Sequence, residues 1–302
     1  MITLKRIAVV VVCCAALASC GHKAEKSDPR PTVTVSIEPQ RYILDKIAGD
    51  KINVVTFMPA GANPENFDPP MSVMKSVSES DAYFRIGRLA FEDAVVEKVL
   101  ESHPSIMSVD TSAGIKLLEG THMHYDEDHH HGHDHAHGDV DPHVWSSVKN
   151  AVIIGRNMYE AVVKLDPDNK EYYAENFRRF STHLDSLDRA ISDMLADKQG
   201  ASFMVWHPSL SYFARDYGLK QVSLGSENKE MSVKSLSSKI DDARQYETSI
   251  FFTQSDIDEG KASPVLQQTD AKSVAINLLD YDWEGQLIKI ATEIAENGAE
   301  NK

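Results

Sequence analysis

Two stretches of this 302-residue chain alternate short β-branched and aromatic runs with segments of helical periodicity. Such alternation predicts parallel β-sheets covered by helices. The order of strands and helices repeats from the first stretch to the second, although the residues do not. We therefore expect an α/β fold of two similar lobes, each with a parallel sheet flanked by helices. The runs that predict strands are residues 32–37, 52–58, 82–86 and 106–109 in the first lobe and residues 202–206, 221–224, 249–253 and 272–279 in the second.

A long helical segment separates the two stretches. Residues 168–198 contain neither Gly nor Pro, and apolar side chains recur every three or four positions. At 1.5 Å per residue the predicted helix is roughly 40–45 Å long, so it could join the lobes as one rigid strut. A surface helix of one lobe is the alternative. The predicted lobes are then residues 32–167 and 199–302. The apolar stripe of the helix consists of Tyr173, Phe177, Phe180, Leu184, Leu187, Ile191 and Leu195.

The amino terminus has the features of a secretory signal. Residues 7–17 form an unbroken apolar run behind two basic residues, and this run is too short to span a bilayer of roughly 30 Å as a helix. The sequence Leu-Ala-Ser-Cys that ends at Cys20 resembles the lipobox of bacterial lipoproteins, whose signal is cut before a Cys that is then lipidated. We expect a signal peptide at residues 1–19 and a lipidated Cys20 that begins a flexible tether, residues 20–31. A plain signal with an incidental Cys is the alternative.

Composition excludes two kinds of interaction. The chain has three Cys; Cys13 and Cys14 lie in the signal and Cys20 carries the lipid, so no thiol remains for a disulfide or a cysteine–metal site. Lys and Arg number 31 and Asp and Glu 46, which gives a formal net charge of −15. A chain this acidic is not attracted to phosphate backbones, so nucleic acid is excluded as a partner.

Residues 121–138, THMHYDEDHHHGHDHAHG, hold eight of the 13 histidines together with four acidic residues. The segment has no apolar periodicity and cannot pack a core, so it predicts a His-rich loop within the amino-terminal lobe. Neutral imidazole binds Zn²⁺, Ni²⁺ and Cu²⁺ well, so the loop could sequester such ions loosely. An expression tag and a pH-responsive charged loop are the alternatives. The auxiliary metal-binding histidines are His122, His124, His129, His130, His131, His133, His135 and His137.

Four further residues are candidates for an ordered metal site. Glu65 lies in the loop beyond the second predicted strand, His143 follows the His-rich loop at the start of a helical pattern, and His207 and Asp280 each follow a strand. Ligands of two-lobed α/β proteins bind at the carboxyl ends of strands. Two imidazoles and two carboxylates suit tetrahedral Zn²⁺, or Mn²⁺ if one carboxylate is bidentate. Each residue also has a plain structural reading: a packed His, a solvated Glu, or an Asp that caps the last helix.

These motifs resemble those of the zinc- and manganese-binding solute-binding lipoproteins of bacterial ABC importers, and the resemblance covers nearly the whole mature chain. DPHVW, with His143, is similar to the second ligand motif of that family, and WHPSLSYFARDYGL, with His207, to the third. NLLDYD, with Asp280, resembles the fourth, although Tyr-Asp-Trp replaces the usual Pro-Leu-Gly after the Asp. GANPENFDP resembles the first, but Glu65 stands where a His is usual, and Asp68 is a less favoured substitute.

The resemblance implies that the protein captures zinc outside the cytoplasm and delivers it to an ABC permease powered by a partner ATPase. It implies a metal site in the cleft between the lobes, with Glu65 and His143 from one lobe and His207 and Asp280 from the other. It also implies a monomer without enzymatic activity, held in the cell envelope by the lipid on Cys20. Zinc is the expected ion and manganese the alternative, because carboxylate ligands favour manganese more than a three-His set would.

Three other functions use the same features. A zinc hydrolase would keep an open coordination position for water and use Glu65 as its base. The chain, however, contains no H-E-x-x-H and no G-x-S-x-G motif. A zinc buffer or chaperone would need the same site as an importer protein. An adhesin that shares the fold is the third, and no feature of the chain favours it.

Overall fold

The computed structural model describes residues 28–64, 67–119, 140–225, 233–254 and 259–298. The predicted signal peptide, Cys20, Glu65 and the His-rich residues 121–138 lie outside the described residues. The fold described below belongs to the unit that begins at Pro31.

Each lobe is built on a four-stranded parallel sheet. The strand order is β2-β1-β3-β4 in the first sheet and β6-β5-β7-β8 in the second, so the same topology occurs twice. This architecture confirms the predicted fold class of two similar α/β lobes. The strands are β1 Thr32–Val35, β2 Asn53–Thr56, β3 Ala82–Arg85, β4 Met107–Asp110, β5 Ser202–Val205, β6 Lys220–Ser223, β7 Ile250–Thr253 and β8 Lys272–Ala275.

The central strands of both sheets are buried on both faces because helices cover them. All four residues of β5 are buried, whereas edge strand β8 has one buried residue of four. Buried parallel strands therefore read as continuous apolar runs in the sequence. The α-helices are α1 Glu38–Ala48, α2 Met71–Ser78, α3 Glu97–Ser102, α4 Val148–Leu165, α5 Lys170–Met194, α6 Ser211–Tyr217, α7 Val233–Gln245, α8 Glu259–Thr269 and α9 Trp283–Asn297.

Local chemistry explains where several helices begin and end. Helix α4 begins at Ser147, whose hydroxyl accepts a hydrogen bond from the Asn150 amide at 3.0 Å. Helix α6 ends at Gly218, which adopts a left-handed conformation (φ 67°). Side chains rarely adopt this backbone conformation, so glycine is favoured at this helix end.

Helix α5 is the predicted strut between the lobes. It covers Lys170–Met194, 25 residues, with short 3₁₀ turns at Pro167–Asn169 and Ala196–Lys198. It is thus about 37 Å long, shorter than the predicted span, because the terminal residues tighten into those turns. The apolar stripe packs into the core as predicted, with Phe177 partly buried and the other six members buried.

A π-helix, Glu92–Val96, precedes α3 and holds a buried acid. The Glu92 carboxylate accepts hydrogen bonds from the Ser36 hydroxyl and, at 2.8 Å, from the Ile86 amide. Its Oε2 atom has no hydrogen-bond partner, although the Arg85 Nε atom lies 3.9 Å away. Burial raises the pKa of Glu92 to about 7 despite these partners.

One hydrophobic core runs through both lobes, and a smaller cluster lies on the second sheet around Met204 and Phe251. At the junction of the lobes, Tyr42 of α1 contacts the rings of Phe180 and Trp283. The described residues include no helix that is both long and apolar enough to cross a membrane.

Candidate metal centre

His143 lies in a rigid turn between the His-rich segment and α4. The Asp141 carboxylate accepts the His143 amide at 2.8 Å, and the His143 carbonyl accepts the Ser146 amide at 3.0 Å. From the second lobe, the Tyr212 hydroxyl donates to the Asp141 carbonyl at 2.7 Å. These bonds hold the backbone of the Asp-Pro-His motif against both lobes, and His143 is only 3% exposed.

The Asp141 side chain also orients the imidazole. Its Oδ1 atom lies 2.8 Å from His143 Nδ1. Burial by itself would raise the pKa of Asp141, but its hydrogen bonds, above all the one from the His143 side chain, outweigh burial and lower it. An ionised Asp141 accepts the proton that His143 carries on Nδ1, so the Nε2 lone pair of His143 is available to a ligand. Carboxylates that hold a histidine in this way are a regular feature of metal sites.

His207 follows strand β5 and meets His143. The Ser209 amide donates to the His207 carbonyl at 2.8 Å and turns the chain toward α6. The Nε2 atoms of the two histidines lie 2.9 Å apart, with ring centroids 4.7 Å apart at 67°. Two nitrogens bound to one tetrahedral zinc at 2.0–2.1 Å would be about 3.3 Å apart. The pair therefore needs only a small separation to share an ion.

The proton between the imidazoles has a definite place. Because His143 carries its proton on Nδ1, its Nε2 atom accepts and His207 Nε2 donates in the 2.9 Å contact. To bind a metal through both Nε2 atoms, a neutral His207 must carry its proton on Nδ1 instead. Metal binding at this pair therefore requires a change of tautomer at His207.

A small cavity of about 50 Å³ lies beside the two imidazoles. Both lobes contribute to it, as the predicted cleft site requires. Among the described residues that line the cavity, only the two histidines can carry a charge. The rest of the lining is neutral polar or apolar. The lining residues are Gly61, Ala62, Asn63, Pro64, His143, Trp145, His207, Ser209, Gln254, Asn277, Leu278 and Leu279.

Asp280 follows the cavity wall directly. Its carboxylate accepts a hydrogen bond from Asn277 Nδ2 at 3.4 Å and from the Asp282 amide at 2.9 Å, both within its own turn. Asp280 is not the cap of the last helix, because Asp282 takes that role and accepts the Gly285 amide at 3.3 Å. The structure thus places Asp280 next to the cavity without bringing its carboxylate to the imidazole pair.

The GANPENFDP motif contains two candidate ligands, Glu65 and Asp68. Residues 61–64 line the cavity, and Glu65 comes next in the chain but lies outside the described residues. Asp68, the less favoured substitute, is exposed, while Phe67 packs edge-on against Phe57 at 5.9 Å. In the described part of the chain, no group of three or more His, Cys, Asp or Glu side chains could hold a metal ion. The observed nucleus of the site is the histidine pair.

Sequence reasoning missed two contributors to this centre. Asp141 belongs to the DPHVW motif. It lies two residues before His143, and at this separation its carboxylate reaches the imidazole of His143. Trp145 lines the cavity with its ring centroid 5.1 Å from that of His143. No sequence signal reveals its role, because its surroundings come from both lobes.

Comparison with known proteins agrees with this geometry. The family model described as "ZnuA: Zinc-uptake complex component A periplasmic" matches residues 33–296. The high-affinity zinc uptake system protein ZnuA of Bacillus subtilis (strain 168) is 27% identical over 285 residues, which cover 90% of this chain and 87% of that protein. The manganese ABC transporter substrate-binding lipoprotein PsaA of Streptococcus mitis is 26% identical over 269 residues, 87% of this chain and 83% of that protein. A zinc-bound crystal structure of a ZnuA deletion mutant is 29% identical, with a TM-score of 0.79, over 90% of this chain and 100% of that one.

Proposed function

This chain belongs to the family of periplasmic zinc-uptake complex components, and on that premise we propose that it captures zinc outside the cytoplasm and delivers it to an ABC-type membrane importer. One observation carries the proposal. Two buried imidazoles from different lobes, His143 and His207, have their Nε2 atoms 2.9 Å apart beside a cavity. Imidazole is a preferred zinc ligand, and ligands from two lobes would clamp the lobes around the ion.

Glu65 and Asp280 complete the proposed ligand set. The cavity wall extends to Pro64, the residue before Glu65, and to Leu279, the residue before Asp280. Binding of one ion by both carboxylates and both imidazoles would give two nitrogen and two oxygen donors, all of which are ligand types that tetrahedral zinc accepts. For Asp280 this means leaving its present hydrogen bonds within its own turn.

Manganese is the second candidate ion. Two carboxylates among four ligands favour Mn²⁺ more than a three-His set would, and the PsaA relative carries a manganese description. Zinc remains first because the two imidazoles are the part of the site with observed geometry, and imidazole favours zinc over manganese.

Delivery requires partners that this chain does not supply. Its sequence has no G-x-x-x-x-G-K-[ST] phosphate loop, so an ATPase subunit would hydrolyse ATP while a permease takes the ion. The protein would act as a monomer on the extracytoplasmic face of the envelope, anchored by lipid on Cys20. Its role is binding and not catalysis. A zinc buffer would have the same site, and zinc uptake that requires the ATPase separates the two roles.

The His-rich loop, residues 121–138, would gather zinc for the ordered site. The chain on either side of it supports this role: Glu119 and Val140 form an antiparallel bridge, and the Asp141 amide donates to the Leu118 carbonyl at 3.0 Å. The segment therefore starts and ends beside the motif of His143. Deleting residues 121–138 should lower the total zinc bound and leave one tight site; loss of the tight site would make the loop part of it.

Competitive titration of the mature chain with zinc and manganese tests the proposal. We expect one tight zinc site that His207→Ala abolishes and that His103→Ala, a change of an exposed histidine, leaves intact. Affinity should fall from pH 7 to pH 5, because protons compete with the metal for imidazole nitrogen. Selective manganese binding would replace zinc as the cargo, and equal binding by both variants would refute the histidine pair as the centre.

A further inference from the structure

The indole N–H of Trp145 is a buried donor without a partner. Trp145 is 1% exposed, and within the described part of the chain its Nε1 atom has no hydrogen-bond acceptor. The same side chain lines the cavity beside the imidazole pair. A buried polar group in this condition has lost its hydration and gained nothing in return, so folded proteins rarely keep one without a use.

The rest of the turn around Trp145 is bonded. The Trp145 carbonyl accepts the indole N–H of Trp283 at 2.7 Å, and the Val144 carbonyl accepts Asn150 Nδ2 at 3.0 Å. The Trp145 ring packs against His143 at 5.1 Å with a tilt of 55°. The backbone of the turn is therefore bonded to both lobes, and the buried Trp145 ring packs against His143.

We propose that Trp145 is a positioning residue: once zinc occupies the centre, its Nε1–H donates to the carboxylate of a metal ligand. This inference rests on the proposed function. A carboxylate that binds a metal through one oxygen has a second oxygen to be satisfied, and outer partners of this kind orient metal ligands. The described cavity wall contains no carboxylate of its own. Asp280 follows that wall directly, and its carboxylate in the loaded state is the acceptor.

Nuclear magnetic resonance of the indole N–H groups tests this directly in the wild-type protein. The chain has three tryptophans, so three indole resonances are expected, and single Trp→Phe variants assign them. Stoichiometric zinc should move the Trp145 proton downfield and slow its exchange with solvent, whereas Trp283, already bonded to the Trp145 carbonyl, should exchange as before. A Trp145 proton whose exchange is unchanged in zinc-loaded protein would overturn the proposal. Failure of zinc to bind at all would instead remove the proposed function.

The variant pair Trp145→Phe and Trp283→Phe separates a donor role from packing. Both changes remove the same ring volume from a buried site, but only Trp283 loses an existing hydrogen bond. Metal-free Trp145→Phe should therefore unfold at a higher temperature than metal-free Trp283→Phe. Zinc affinity should rank the two variants the other way. Trp145→Phe should lose about tenfold in zinc affinity, as is usual for an outer partner of a metal ligand, and Trp283→Phe should lose less. Wild-type zinc affinity in Trp145→Phe would refute the role.

Double variants identify the acceptor. If Trp145 donates to Asp280, then Trp145→Phe should weaken zinc binding by at least about threefold less in an Asp280→Asn background than in the wild type. Such coupling supports the proposal, whereas additive losses from the two changes would overturn it.

Discussion

Replacing Asp141 by Asn tests how far the metal centre depends on the group behind His143. The Asp141 Oδ1 atom lies 2.8 Å from both the amide and the Nδ1 atom of His143, and the Asp141 side chain is 6% exposed. Asn preserves the size and one acceptor but removes the charge, and its amide can no longer dictate which ring nitrogen of His143 carries the proton. Loss of such an outer carboxylate typically costs 10–100-fold in metal affinity, or about 1.4–2.7 kcal/mol.

The assay is competition for zinc between the protein and a chelator of known affinity at pH 7. The lowered pKa of Asp141 means that its contribution to the fold is present at neutral pH and disappears only as pH falls below the normal range of an Asp carboxyl. Asp141 therefore stays ionised throughout a titration between pH 5 and pH 7. Asp166→Asn is the matched control, because that carboxylate also accepts two hydrogen bonds, from Asn169 and Tyr173, but does not line the cavity. Unchanged zinc affinity in a folded Asp141→Asn variant would refute this reasoning.

Two other predictions concern the fold. Because burial raises the pKa of Glu92 from 4.5 to about 7, the unfolded chain ionises this group first, and stability should fall by about 3 kcal/mol as pH rises through that window. We expect the free energy of unfolding in urea to fall between pH 5 and pH 8 for the wild type but not for Glu92→Gln. An equal fall in both proteins would contradict the raised pKa of Glu92. Gly155→Ala should stabilise the protein by about 0.5–1 kcal/mol, because the new methyl would meet Ile43 and Phe177 at an ordinary 3.5 Å while the helix gains rigidity. A lowered thermal midpoint would show that this contact is too tight.

Much of the fold could be predicted because parallel sheets leave a strong pattern. The central strands β5 and β7 appear in the sequence as mainly apolar runs of the right length, and the stripe of α5 follows helical spacing. The errors occur at ends: the run predicted at residues 272–279 is a strand only to Ala275, since the following residues turn toward the cavity. The π-helix at Glu92–Val96 was not predicted. Its Glu92 carboxylate bonds to Ser36 and Ile86, which follow two different strands, and such tertiary contacts leave no local pattern in the sequence.

The candidate site could be predicted residue by residue but not as a geometry. His143 and His207 were identifiable from their motifs, yet their direct contact depends on how the two lobes pack. For the same reason the sequence could not reveal that Asp282, and not Asp280, caps α9. Glu65 remains a prediction, as do the predicted domain boundaries and the histidines of the loop.

The repeated sheet topology affects the order in which parts of the protein can fold during synthesis. Each sheet uses one continuous stretch of chain, Thr32–Asp110 for the first and Ser202–Ala275 for the second. A chain released from its amino end could complete the first sheet before the second has appeared, since no strand is shared between them. The imidazole pair forms only when both lobes are present, because His143 contacts His207 and its turn accepts a hydrogen bond from the Tyr212 hydroxyl of the second lobe. The ordered centre is therefore among the last parts to mature, and a nascent chain cannot trap the metal there before both lobes have been made.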